Sequence, residues 1–269
     1  MHHRHLLDGR FVSAPEPRLS PYTLAGVATL RVGRSFLKPF QARKPLTNSP
    51  APKDICAAVC NKNFGKHILS EVEEFKRVIL ITGTPCVGKT SVAHLVTYRL
   101  NAFYINLTEL ALRENLILEE DKERGSRIVD EDLMRERISE IVEKCDKNDI
   151  VVDGHYAVSV VPKELTTHVF VLRRNPVELK RFMIERCGFS GRKLWENLAS
   201  EILDVCLTDA LNVYGKEKTC ELNVTGKSIE EVADEVLAVL KGSQKCRVGV
   251  VDWLGELENE GLLDEYLKI

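Results

Sequence analysis

From Val78 onward, short apolar runs alternate with longer stretches in which apolar positions recur every three or four residues. Val78-Ile-Leu-Ile-Thr82, Phe103-Tyr-Ile-Asn106, Ile150-Val-Val-Asp153, Thr167 to Leu172 and Thr219 to Val224 predict five strands. Helical spacing predicts helices from Ser91 to Leu100, Leu107 to Glu114 and Asp130 to Lys144, the last with Leu133, Ile138, Ile141 and Val142 on its apolar stripe. Pro176 opens another that runs to about Arg186. One long helix is expected from about Lys193 to Tyr214, because Leu194, Leu198, Ile202, Val205 and Leu211 keep the helical period. Ser228 and Glu231 form a capping box ahead of a last helix to about Lys241. Asn115 to Arg127 is polar and reads as a loop, as does the glycine-containing stretch from Cys187 to Gly191. Strands alternating with helices imply right-handed βαβ units, a parallel sheet and an α/β fold. Ligands of such sheets bind at the C-terminal ends of the strands.

Residues 1 to about 70 break this pattern. They hold seven of the ten prolines and sustain no helical or strand period. Three origins compete: a disordered extension, an Arg-rich transit-type peptide, or translated upstream sequence with the true start near Val72 or later. None carries catalysis, and the His2, His3 and His5 cluster reads as a solvated tract. The folded body follows as residues 76–242, with a tail and short helix over 243–269.

The formal net charge of −2 conceals a division, since residues 1–53 sum to +7 and the rest to −9. An acidic body argues against a broad nucleic-acid surface there. The eight cysteines form no CxxC pair, and their spacing fits neither a zinc site nor a disulfide framework. Scattered thiols suit a reducing cytosol, hence a cytoplasmic protein. No apolar stretch approaches membrane-spanning length.

The chemistry concentrates after the first strand. Gly83-Thr-Pro-Cys-Val-Gly-Lys-Thr90 fits the phosphate-binding P-loop pattern G-x-x-x-x-G-K-[ST] in its demanded strand–turn–helix context. Backbone N–H groups and a helix N-terminus favour phosphate. Lys89 is placed for the β- and γ-phosphates and the Thr90 hydroxyl for Mg²⁺. Asp153 ends an apolar strand, where a Walker-B acid holds the metal, and His155 follows on the same side of an extended chain. Arg173-Arg174 end the fourth strand, and the basic residues from Arg186 to Lys193 are placed to close over transferred phosphate.

GTPCVGKTSVA, YINLTELA, IVDED, VVDGHY, VLRRNPVELKRF and ERCGFSGRKLWENLASEILDVC occur in one order. Together they resemble the adenylate kinase isoenzyme 6 family, its archaeal branch above all, over about Lys76 to Ile269. The resemblance implies a P-loop NTPase three-layer fold with a five-stranded parallel sheet, a short lid at about Glu185 to Lys193 and a nucleoside-monophosphate-binding region at about Asn106 to Val129. It implies ATP contacts from Cys86 (through its amide), Gly88, Lys89, Thr90, Ser91 and Arg186. Mg²⁺ would sit at Thr90 and Asp153, and Lys89, Asp153, His155 and Arg186 would serve catalysis, with AMP as acceptor. The family is also associated with maturation of the small ribosomal subunit and binding of a ribosomal protein, so an ATPase acting in ribosome assembly is the competing reading. A kinase for another small acceptor is the third. Two departures stand out: Cys86 occupies a position where the family usually has Gly, and the lid is one residue longer than the commoner type.

Overall fold

The computed structural model describes residues 76–121 and 126–268. The extension read over residues 1–70, with its histidine tract, lies outside them. In chain order, β1 (Arg77–Thr82) leads through the P-loop into α1 (Lys89–Leu100), followed by β2 (Phe103–Asn106) and α2 (Leu107–Arg113). A hairpin of β3 (Ile117–Asp121) and β4 (Ser126–Val129) precedes α3 (Glu131–Lys144), β5 (Asp149–Asp153), α4 (Ala157–Val160) and β6 (Thr166–Arg173). Then come α5 (Pro176–Glu185), α6 (Gly191–Ile202), α7 (Val205–Tyr214), β7 (Thr219–Asn223) and α8 (Ile229–Leu240), and the tail adds α9 (Trp253–Asn259) and α10 (Leu263–Tyr266).

The main sheet is parallel, with strand order β2-β5-β1-β6-β7. Alternate residues of each strand face opposite sides. Ile79, Ile81, Val151, Phe170 and Leu172 therefore join a core with residues of α1, α5, α6 and α8, while Val78, Leu80, Ile150, Val152 and Val171 join a second core with α2, α3, α4 and α7. A sheet buried on both faces needs continuous apolar strands, and that is the composition of β1, β5 and β6. The result is the three-layer P-loop NTPase fold. Its register pairs Ile81 with Asp153 and Asn106 with Asp153, so the ends of β1, β2 and β5 stand level.

Two expected elements are corrected. Asn115 to Arg127 is not a loop: β3 and β4 pair as an antiparallel ribbon, with Ile117 opposite Val129. The ribbon stands apart from the main sheet, and Ile117 and Val129 at its base pack against the second core while Leu118 is exposed, so the alternation that marks a strand is too short to read in sequence. The helix expected from Lys193 to Tyr214 is two helices. It breaks at Leu203-Asp204, where Asp204 has φ 57° and its carboxylate meets Arg173. The short helix expected in the tail is a pair, α9 and α10. Leu257 and Tyr266 of that pair pack with Ile202 of α6. Among the described residues, no helix is long and apolar enough to cross a membrane.

Candidate active site

β1 delivers the chain into a turn that only glycine can begin. Gly83 has φ 134°, and a Cβ there would run into the carbonyl oxygen of Leu172 on β6. Gly88 ends the loop as the N-cap of α1. Between them, Cys86 has φ 71°, in the left-handed region that costs an L-residue about 1 kcal/mol or more. Lys89 is buried and its Nζ donates to the Thr84 carbonyl at 2.9 Å, spanning its own loop. Burial pushes the Lys89 pKa down, while Asp153 and Glu201 oppose that shift.

Asp153 closes β5 beside this loop. Its Oδ2 accepts from Thr90 Oγ1 at 2.7 Å, Tyr104 OH at 3.0 Å and Asn106 Nδ2 at 3.2 Å. Tyr104 and Asn106 are two residues apart on β2, so they present to the same side and reach the acid across the sheet. Burial, and then the Asp153 charge, raise the Tyr104 pKa and hold the phenol as a donor. A Cβ at Gly154 would come within 2.7 Å of Leu107 Cδ1, so any larger residue there would make the Leu107 side chain shift. His155 lies half-buried in the cleft wall. Loss of solvent, reinforced by the cations Lys89 and Lys193, lowers its pKa to about 3, so the imidazole is neutral at neutral pH.

The adjacent arginines ending β6 part company. Arg173 is fully buried, with Nε donating to Glu201 Oε1 at 2.9 Å and Nη1 to Glu221 Oε1 at 3.1 Å. It is structural and does not line the cleft. Arg174 does line it, donating to the Val87 carbonyl at 3.4 and 3.3 Å while its guanidinium lies 4.7 Å from the Phe182 ring centre. Arg186 also stacks on Phe182, at 4.0 Å. Burial lowers the Arg174 pKa, and the neighbouring Arg186 charge acts the same way.

The cleft enclosed by these elements has a volume of about 1270 Å³. Cys86, Gly88, Lys89, Thr90, Ser91, Asp153, His155 and Arg186 all line it, so every residue predicted for catalysis, nucleotide or metal is brought to one place. Arg173 and Arg174 were both expected among the strand ends that form the site, and only Arg174 lines the cleft; Asn106 was expected only as the start of the monophosphate-binding region, and Tyr104 was not expected there. The two-residue strand period ahead of the acid-ended strand is the signal that could have found Tyr104 and Asn106. The reading of the cysteines as scattered thiols is corrected. Cys86 is disulfide-bonded to Cys187 in the lid and Cys220 to Cys246, across sequence separations of 101 and 26 residues. Spacing along the chain gives no sign of such spatial neighbours.

The arrangement has the parts of a phosphoryl-transfer site: backbone amides, a lysine, two hard oxygen donors and the cations Arg174 and Arg186. A family model described as an AAA domain matches residues 79–204. A Methanocaldococcus jannaschii protein named "Putative adenylate kinase" is 36% identical over 175 residues, covering 65% of this chain and 92% of that protein. A Thermococcus onnurineus protein of the same name is 37% identical over 186 residues, covering 67% of this chain and 93% of its own. A third, from Pyrococcus furiosus, is 38% identical over 180 residues, covering 65% and 91%.

Proposed function

We propose that this chain, which belongs to the archaeal-type adenylate kinase family, transfers the γ-phosphoryl group of Mg·ATP to AMP and yields two ADP. The observation that carries the reading is the contact of Thr90 Oγ1 with Asp153 Oδ2 at 2.7 Å, beside Lys89 in a P-loop cleft of about 1270 Å³. Thr90 and Asp153 offer hard oxygen donors of the kind Mg²⁺ prefers. When bound there, the ion neutralises phosphate charge.

The protein's own contribution is positioning and electrostatics. Lys89 exchanges the Thr84 carbonyl for phosphate oxygens, which also removes the cost of holding a buried cation without an anion. The P-loop amides, that of Cys86 included, hold the remaining oxygens. Arg174, beside the Val87 carbonyl of the P-loop, and Arg186, which shares the Phe182 ring with it, line the same cleft, and their charge offsets what develops on the transferred group. Asn106 and Thr108 line the wall nearest the region read as the monophosphate site. Tyr104 and Asn106 keep the Asp153 carboxylate aimed at Thr90.

A second reading, an ATPase acting in small-ribosomal-subunit maturation with a ribosomal protein as partner, is favoured by His155. A neutral imidazole near the phosphate site can accept a hydrogen bond from an attacking water. ADP formation from ATP with and without AMP separates the two. Dependence on AMP supports the kinase, and phosphate release without AMP supports the ATPase.

A further inference from the structure

Cys86 and Cys187 join the two parts of the cleft that a nucleotide kinase must move apart. Cys86 is in the P-loop, at the position whose amide faces phosphate. Cys187 lies in the lid, one residue after Arg186, between α5 and α6. Their Cα atoms lie 6.6 Å apart, within the range a disulfide spans without backbone movement. Both are half-buried and both line the cleft, so they are open to solvent-borne reagents. Gly188 and Gly191, with φ 67° and 56° and open space where a Cβ would stand, give the lid freedom just beyond Cys187.

The structure assigns Cys86 and Cys187 as a thiol–disulfide site that takes a low-molecular-weight disulfide as oxidant and locks the lid to the P-loop. The surroundings suit the reaction. P-loop amides and the cations Lys89, Arg174 and Arg186 that favour phosphate also favour a thiolate. The Cys86 thiolate attacks one sulfur of the oxidant R–S–S–R, forming a mixed disulfide and releasing R–S⁻. The Cys187 thiolate then attacks the Cys86 sulfur, closing the protein bridge and releasing the second R–S⁻. Two protein thiols lose two electrons and two protons, and the oxidant leaves as two R–SH. Opening and closing of a lid accompanies each turnover, so a covalent tie across its base stops the cycle without removing any ligand of the nucleotide. The proposal rests on the nucleotide-cleft reading above.

The test uses the full chain, reduced with dithiothreitol or oxidised with excess oxidised glutathione. Peptide mapping follows the bridge, and stopped-flow follows entry and exit of a fluorescent ATP analogue. The expected result is a mapped Cys86–Cys187 bridge and at least a tenfold fall in analogue exchange and in ADP formation, reversed by dithiothreitol. Cys187→Ser is expected to abolish the difference between the two conditions, while Cys246→Ser, which removes the other bridge, is expected to leave it in place. Absence of the bridge under excess oxidant overturns the proposal, as does a fully formed bridge with unchanged exchange. If reduced protein exchanges the analogue but phosphorylates no AMP, the kinase reading fails, and exchange still decides the lock. Reduced protein that takes no analogue overturns both.

Discussion

Glu201 lies beneath the P-loop and accepts a hydrogen bond from Thr84 Oγ1 at 2.5 Å through its Oε2. Its Oε1 accepts from Arg173 Nε at 2.9 Å, the Arg174 amide at 3.0 Å and Trp253 Nε1 at 3.1 Å. One buried carboxylate thus ties the phosphate loop, the end of β6 and the C-terminal tail together.

Removing that carboxylate leaves the buried Arg173 with Glu221 and Asp204 alone. Glu201→Ala is expected to cost about 3–5 kcal/mol of stability, the penalty for breaking a buried ion pair by deleting one partner. Trp253→Phe keeps an aromatic ring but loses the indole N–H donor and part of the buried bicycle, at about 2 kcal/mol. Urea unfolding of both variants against the parent checks the ranking. Equal costs would mean that the tail, not the charge, holds the network.

Tyr104→Phe removes one of the donors that aim Asp153 and keeps the packing of the ring. The Mg²⁺ concentration for half-maximal activity is expected to rise about tenfold, as for outer-shell partners of metal ligands generally. An unchanged Mg²⁺ dependence would show that Thr90 and Asn106 suffice.

His155 gives a pH dependence whose sign follows from its lowered pKa of about 3. Between that value and the ordinary histidine value near 6.5, the unfolded chain binds more protons than the folded one. The contribution to stability is present in full above pH 6.5 and is lost as pH falls through this window. Denaturation at pH 4.5 and 7.5 is expected to show a smaller difference for His155→Gln than for the parent. The parent's pH–activity profile is expected to lack a limb near 6.5 from this residue.

Cys86→Gly removes a left-handed cysteine, worth about 1–2 kcal/mol, and adds unfolded-state freedom worth about 0.5–1 kcal/mol. Under reducing conditions the variant is expected to gain up to about 1.5 kcal/mol in urea unfolding. A loss would mean that the side chain contributes packing beyond its disulfide.

Much of this arrangement was legible from residue pattern. Apolar runs marked β1, β5 and β6 because a sheet covered on both faces demands them, and Gly83 to Thr90 announced phosphate because few sequences can build that turn. Asp153 was found by its place at a strand end. What failed had no local signal. The apolar period of α6 continues in α7, so nothing but the left-handed Asp204 shows the break. Arg173 and Arg174 are identical neighbours, and only the alternation of a strand sends one into a carboxylate cage and the other into the cleft. The β3–β4 ribbon meets the core through Ile117 and Val129 at its base, too short a stretch to show a strand period. The paired cysteines meet only in space.

Phosphoryl transfer to AMP is read most directly from the fate of a γ-label. Protein incubated with γ-labelled ATP, Mg²⁺ and AMP is predicted to place the label in ADP, with Lys89→Met abolishing transfer while circular dichroism stays that of the parent. Label recovered as inorganic phosphate at the same rate with or without AMP would contradict the account.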